Sequence, residues 1–221
     1  MLRLFACLLI SFCMLIHVLA GVLIDSTTKQ QFQNLADKMG LKTPNLKDGE
    51  YEVRIWNEQA LRYGDAQMLY VLTKTKRKFI ISKYLIDSDR RGFRHAIRLN
   101  PNPKIPIGDT LWTQFVQQGI IDLPDMSLLH DKLYPKPPKD STWTAVEADG
   151  SVSIKAKRRN TNWVITGDGE GYYFEVCSAG TYRSYSYRNP RSYLKSKPNI
   201  SELQKVVAIL DNLAVLFHSS N

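Results

Sequence analysis

The chain is poor in cysteine, and the few it has are badly placed for cross-linking. Of three cysteines, Cys7 and Cys13 fall within the first twenty residues, which leaves Cys177 alone in the rest of the chain. A disulfide framework is therefore excluded for the body of the protein. Paired-cysteine motifs are missing, and His95, His130 and His218 lie in three separate segments. No stretch has metal-ligand spacing, so no metal site is expected. G-x-S-x-G, H-E-x-x-H and a phosphate-cradling glycine loop are also missing. No catalytic residue can be named, and no cofactor is expected. Acidic side chains are in short supply: 21 against 30 Lys and Arg, for a net charge of +9 and an isoelectric point near 9.4. Apolar residues make up 43% and charged residues 23% of the 221 residues. That is ordinary globular usage, which excludes a fibrous or disordered chain.

Long apolar runs are absent except at the start. Arg3 is followed by Leu4 to Ala20, broken only by Ser11 and His17. Val18 and Ala20 stand at the −3 and −1 positions before Gly21. This is the layout of a secretory signal peptide, 1–20. Cleavage after Ala20 is expected, with an exported, periplasmic or extracellular body. The competing reading is an uncleaved anchor, because Val22, Leu23 and Ile24 extend the run to a length that could cross a bilayer.

Residues 21–221 read as a single α+β domain, with a Pro-rich break near 134–140 that could subdivide it. Asp25-Ser26 can cap a helix whose face carries Phe32, Leu35, Ala36 and Met39, with Gly40 as its stop. Tyr51, Val53 and Ile55 alternate with polar residues and predict a strand over 50–56. Met68–Thr73 and Phe79–Ile86 form a hairpin with a basic tip, Lys74-Thr75-Lys76-Arg77-Lys78, and His95–Leu99 is a short strand. Asp109 is read as the cap of a second helix that buries Leu111, Trp112, Phe115 and Val116, with Gly119 as a left-handed stop. Met126–Leu133 is a short helical piece.

A second strand cluster follows: Trp143–Glu147, Val152–Lys157, Trp163–Thr166, Tyr172–Cys177 and Tyr182–Tyr187. Asp149-Gly150 and Ala179-Gly180 are hairpin turns. Asn199 and Glu202 form a capping-box pattern ahead of a final helix. Its stripe is Leu203, Val206, Val207, Leu210, Leu213, Ala214 and Phe217. Clustered strands joined by short turns predict antiparallel sheets with about three helices, the last packed on a sheet.

The segments LWTQFVQQGIIDLPD, GEGYYFEV and TYRSYSYRNP carry a resemblance. With the Leu123-Pro124-Asp125 corner and the Tyr182–Pro190 stretch as matching pieces, the chain resembles a group of small secreted proteins common in Bacteroidetes. The likeness covers under half of the chain. It implies export and a role outside the cytoplasm, and it carries no activity and no catalytic residues.

Three features invite chemistry. Cys177 ends a strand-like run and reads as a small buried hydrophobe before it reads as a nucleophile. Asp122 and Asp125 flank Leu123-Pro124, and Asp125 is best explained as a cap for the turn after it. The third is Tyr182–Arg191, dense in tyrosine and arginine. On a strand, Arg183, Tyr185 and Tyr187 share one face and Arg188 lies on the other. Flat rings beside guanidinium groups suit an acidic glycan or an envelope protein. Arg183, Tyr185, Tyr187 and Arg188 are therefore the candidate binding residues. Nucleic acid is not the expected partner of an exported chain, and a membrane contact is expected only through an uncleaved first segment. The function expected is an exported, non-enzymatic protein that binds a ligand or partner. The alternative is a hydrolase acting on wall or glycan material.

Overall fold

The computed structural model describes residues 27–59, 62–135, 142–156 and 169–218. The expected signal segment 1–20, the Asp25-Ser26 cap and the strand expected at Trp163–Thr166 lie outside the described residues. Six strands form one antiparallel sheet: β1 (Tyr51–Gln59), β2 (Met68–Lys74), β3 (Phe79–Asp89), β4 (Gly92–Leu99), β7 (Glu170–Ser178) and β8 (Thr181–Arg188). Their order across the sheet is β4-β3-β2-β1-β7-β8. The two strand clusters of the sequence thus merge, because β1 pairs with both β2 and β7. Among the described residues β5 (Thr142–Val146) and β6 (Val152–Ala156) pair only with each other, as a separate ribbon. The protein is α+β.

The two faces of the sheet are covered differently. Val53 and Ile55 of β1, Tyr70 and Leu72 of β2, Phe174 and Val176 of β7, and Tyr185 and Tyr187 of β8 share one core with the helices. Those helices are α2 (Asp109–Gln117), α3 (His130–Leu133), α4 (Pro190–Ser196) and α5 (Ser201–Leu216), with a 3-10 turn at Met126–Leu129. Trp56 of β1, Leu69 of β2, Ile86 of β3 and Tyr173 of β7 point the other way. There they meet Phe32, Leu35 and Ala36 of α1, the helix over residues 27–38. Phe32 stacks on Trp56 with ring centroids 5.0 Å apart. The period-2 pattern of β1 dictates this sandwich, since successive side chains must leave on opposite faces.

Several helix boundaries differ from expectation. Asp109 is not the cap of α2. Gly108 holds that place, Asp109 is the first helical residue, and its carboxylate lies 3.3 Å from Lys74 Nζ. Asn199 and Glu202 form no capping box, for α5 starts one residue later with Ile200 as its flanking residue. Glu202 instead accepts from Lys132 on α3. Among the described residues there are five helices where about three were expected. The helix α4 was hidden by Pro190, which looked like a strand end but is the first residue of a helix. Its missing N–H costs nothing at that position, and Asn189 makes the corner at φ +48°.

The α5 stripe is rotated slightly. Leu203, Val206, Leu210 and Leu213 are buried as expected, together with Ile209 and Leu216. Ala214 is exposed, and Phe217 reaches past the helix end to Tyr70. The Gly119 stop (φ +83°), the Asp149-Gly150 turn and the Ala179-Gly180 turn are all present, with Gly150 at +83° and Gly180 at +68°.

Candidate functional surface

The Tyr182–Arg191 segment becomes β8, the edge strand beside β7, and then enters α4. Its alternation is as the sequence implies, but the face that carries three of the four candidate residues turns inward. Tyr185 and Tyr187 are 1% and 0% exposed. Tyr185 stacks on Phe174 at 4.6 Å and donates its hydroxyl proton to the Ile120 carbonyl at 2.7 Å. Tyr187 donates to the Pro124 carbonyl at 2.9 Å. Burial pushes both phenols above their ordinary value. The Arg183 guanidinium donates to the carbonyls of Ile121 and Leu123, both at 2.6 Å, and lies 5.3 Å from the centre of the Tyr185 ring.

The assignment of Arg183, Tyr185 and Tyr187 as partner-facing is corrected accordingly. They clamp the Ile120–Pro124 corner onto the sheet. Only Arg188 is exposed. It stands in the row Glu58–Gly171–Arg188 on the opposite face, where its charge acts on Glu58 across the side-chain-free Gly171.

Of the two candidate carboxylates, Asp122 is exposed and Asp125 is committed to the scaffold. Asp125 Oδ1 accepts from the Ser127 amide, so it caps the 3-10 turn as expected. Its Oδ2 accepts from the amide and hydroxyl of Ser186 on β8, at 2.7 and 3.0 Å. Burial works to raise this carboxyl, but the bonds from Ser127 and Ser186 outweigh it and hold it below its ordinary value.

Cys177 lies in a polar layer under the N-terminal part of α1, opposite Glu52 on β1. In that layer the buried Arg54 donates to Glu52 at 2.8 Å and to the Lys42 carbonyl at 2.6 Å. The buried Glu175 accepts from Trp56 at 2.6 Å and from Tyr182 at 3.0 Å. Burial and the Glu175 charge push the Cys177 thiol up to about 11, so it is protonated at neutral pH and a poor nucleophile. Among the described residues no buried side-chain nitrogen or oxygen lacks a partner, and no three His, Cys, Asp or Glu gather where a metal could sit.

The exposed chemistry lies elsewhere. One end of the sheet is marked by the row Lys74–Tyr51–Ser178–Thr181 across β2, β1, β7 and β8. Just beyond it, the β2–β3 turn exposes Lys76, Arg77 and Lys78. None of the three forms an ion pair among the described residues. The nearby Glu50 accepts from the backbone amides of Lys47 and Lys76. The other end of the sheet is balanced. Arg94 lies 3.9 Å from both Asp87 and Asp89, and Arg191 contacts Glu170 at 2.9 Å and Asp211 at 2.8 Å. The sequence shows the basic tip, but it cannot show that the opposite end is neutralised.

A shallow depression of about 400 Å³ lies between α3 and the start of α5, lined by Lys132, Lys197, Asn199 and Glu202 among others. Its central Lys132 and Glu202 satisfy each other. On the ribbon, Val146, Val152 and Ile154 share one exposed face. No family model matches the chain, and neither a curated protein nor a solved structure is similar to it.

Proposed function

We propose that the protein is an exported, non-catalytic binding protein of the cell envelope that engages an anionic partner through the cationic end of its sheet. One observation carries this reading. Asp125 is committed to the scaffold and Cys177 is held protonated, while Lys76, Arg77 and Lys78 are exposed and form no ion pair among the described residues. A concentrated patch of one sign attracts a partner of the other. The first twenty residues support export, and the lone cysteine of the body fits a fold that stands without disulfides.

Two measurements test the reading. Intact mass of the protein recovered from cell envelope and medium should show Gly21 at the N-terminus. A chain found in the cytoplasm with Met1–Ala20 attached refutes export. Retention on an immobilised acidic polysaccharide should fall when Lys76, Arg77 and Lys78 are changed together to Gln. It should fall less when Arg90, Arg91 and Arg94 are changed the same way. Equal losses reduce the effect to net charge and remove the site.

A further inference from the structure

The outer strand of the sheet has an unused side. The Thr75 amide donates to the Lys78 carbonyl and the Ile86 amide to the Gln67 carbonyl, so the even-numbered residues of β3 turn their backbone groups toward β2. The odd-numbered ones turn toward β4, because the two directions alternate along a strand. Leu85 and Asp87 therefore bond to Ile97 and His95, and Ala96 and Arg98 turn their N–H and C=O groups outward. Among the described residues no strand takes them. The bulge at Asp87/Ser88 leaves Arg94 without a partner residue, so His95–Leu99 is the regular part of this edge and Ile97 is its midpoint.

The side chains make that midpoint apolar. Met68, Leu85 and Ile97 stand side by side across β2, β3 and β4, on the face that carries α2 to α5. Leu85 is 42% and Ile97 52% exposed. On the other face Arg98 donates from Nε and a terminal nitrogen to Ser82 Oγ, at 3.2 and 2.8 Å. Arg94 lies beside Asp87 and Asp89. Both guanidinium groups are thus drawn back over β3.

We propose that two copies of this chain pair β4 to β4, antiparallel, about a twofold axis through Ile97, so that two sheets become one. In this register Ile97 faces its own counterpart, Ala96 faces Arg98, and His95 faces Leu99. The outward groups of Ala96 and Arg98 all find partners, about four hydrogen bonds in total. The pair on the axis is of the kind that brings side chains closest, with Cβ atoms about 4.5–5.5 Å apart. The Met68–Leu85–Ile97 row then runs on into its mate. Moved one residue either way, the axis sets Arg94 or Arg98 against an arginine. Moved to His95, it sets Ile97 against Phe93, which packs on the α1 face. A strand of unrelated sequence answers the backbone groups; a second copy answers both them and the apolar row, as a self-complementary interface requires. The contact is smaller than the standard interface of about 1,600 Å², so monomer and dimer exchange at about 10 µM to 1 mM. The two Arg98 charges stand diagonally across the axis, and salt tightens the pair by screening them. An anionic ligand at the cationic end has the opposite salt dependence.

Sedimentation velocity of the purified protein from about 10 µM to 1 mM tests this. A monomer–dimer equilibrium is expected, shifting toward dimer as salt rises from about 50 to 500 mM. Ile97→Lys removes two apolar contacts and sets two charges face to face on the axis. It should weaken association about a hundredfold, from about tenfold for each isoleucine. Val215→Lys, at an exposed position on α5, should leave association unchanged. Unchanged far-ultraviolet circular dichroism shows that both variants are folded, as expected for exposed side chains. Cross-linking reads the register. Under a mild oxidant Ile97→Cys should form a covalent dimer well above the background of the native chain, and His95→Cys should not, since Leu99 faces it. Four outcomes overturn the proposal: monomer throughout at both salts, a dimer that Ile97→Lys leaves intact, assemblies larger than two, or equal cross-linking from the two cysteine variants.

Discussion

Replacing Arg183 with Ala separates a scaffold role from a contact role. An exposed arginine on an edge strand contributes little, and its loss changes stability by less than about 0.5 kcal/mol. Arg183 is not in that position. Its two terminal nitrogens each donate to a backbone carbonyl at 2.6 Å, those of Ile121 and Leu123. A hydrogen bond from a charged donor contributes about 1.5–3 kcal/mol net. Arg183 is half-buried, so water can reach part of the vacated site and the lower figure applies. Two such bonds give about 3 kcal/mol. The guanidinium above Tyr185 adds about 0.5–1 kcal/mol. The expected loss is therefore about 3–4 kcal/mol, a large share of the 5–15 kcal/mol typical of a folded domain. In urea, with a slope of about 2 kcal/mol per molar, the midpoint should drop by about 1.5–2 M.

Arg183→Lys keeps the charge but cannot reach both carbonyls as a fork does, and should recover about half of the loss. Arg188→Ala, on the exposed face of the same strand, should stay within about 0.5 kcal/mol and serves as the internal reference. A loss below about 1 kcal/mol for Arg183→Ala would refute the clamp and return this side chain to the partner-facing surface.

Two further predictions concern the same core. Leu210 is 3% exposed against the sheet, and Leu210→Ala should cost about 2–5 kcal/mol in a urea melt; a cost under 1 kcal/mol would mean that α5 is not docked. The Asp125 carboxyl is held below its ordinary value in the folded state, so the stability it contributes is present above the unfolded value near 3.9 and disappears as pH falls through the lower folded value. Asp125→Asn should flatten the loss of stability between about pH 5 and pH 3 relative to the native chain, and an unchanged acid limb in pH-dependent urea titrations would show that the Ser127 and Ser186 bonds do not stabilise the charged form.

Elements with a strong period were readable from the sequence, and elements fixed by distant partners were not. β1 and the body of α5 follow from alternation and from the Leu203–Leu213 stripe, because their apolar faces contrast with polar ones. β8 offers no such contrast. One face holds Arg183, Tyr185 and Tyr187, the other Tyr182, Ser184, Ser186 and Arg188, and both look polar. The inward face was decided by Phe174 beside Tyr185 and by the carbonyls of a corner some sixty residues away. The neighbouring GEGYYFEV run, with buried Tyr172 and Phe174 in register with Tyr187 and Tyr185, held the one local signal of which face is covered. Glu202 failed as a capping residue for a related reason, since Lys132, seventy residues away, competes for its carboxylate. The cationic tip was visible as composition. Its place opposite the ion-paired end of the sheet depended on strand pairing.

The two edges of the six-stranded sheet are treated unequally, and this sets how the protein can fail. On β8, the Ser186 amide is taken by Asp125 and the Arg188 amide faces the Met126 sulfur, so part of that edge is already spent within the chain. On β4, no strand among the described residues lies outside Gly92–Leu99, and the edge is defended by the charges of Arg94 and Arg98. Charge is a guard that salt can lower, whereas a hydrogen bond to the chain's own carboxylate is a lock. When the guard is lowered, two copies meet more readily β4 to β4, about a twofold axis, than through the partly occupied β8 edge. The pair so formed presents the partly occupied β8 edges outward, which resist further addition. Within the six-stranded sheet this arrangement disfavours the open-ended strand addition that turns a sheet protein into a fibre.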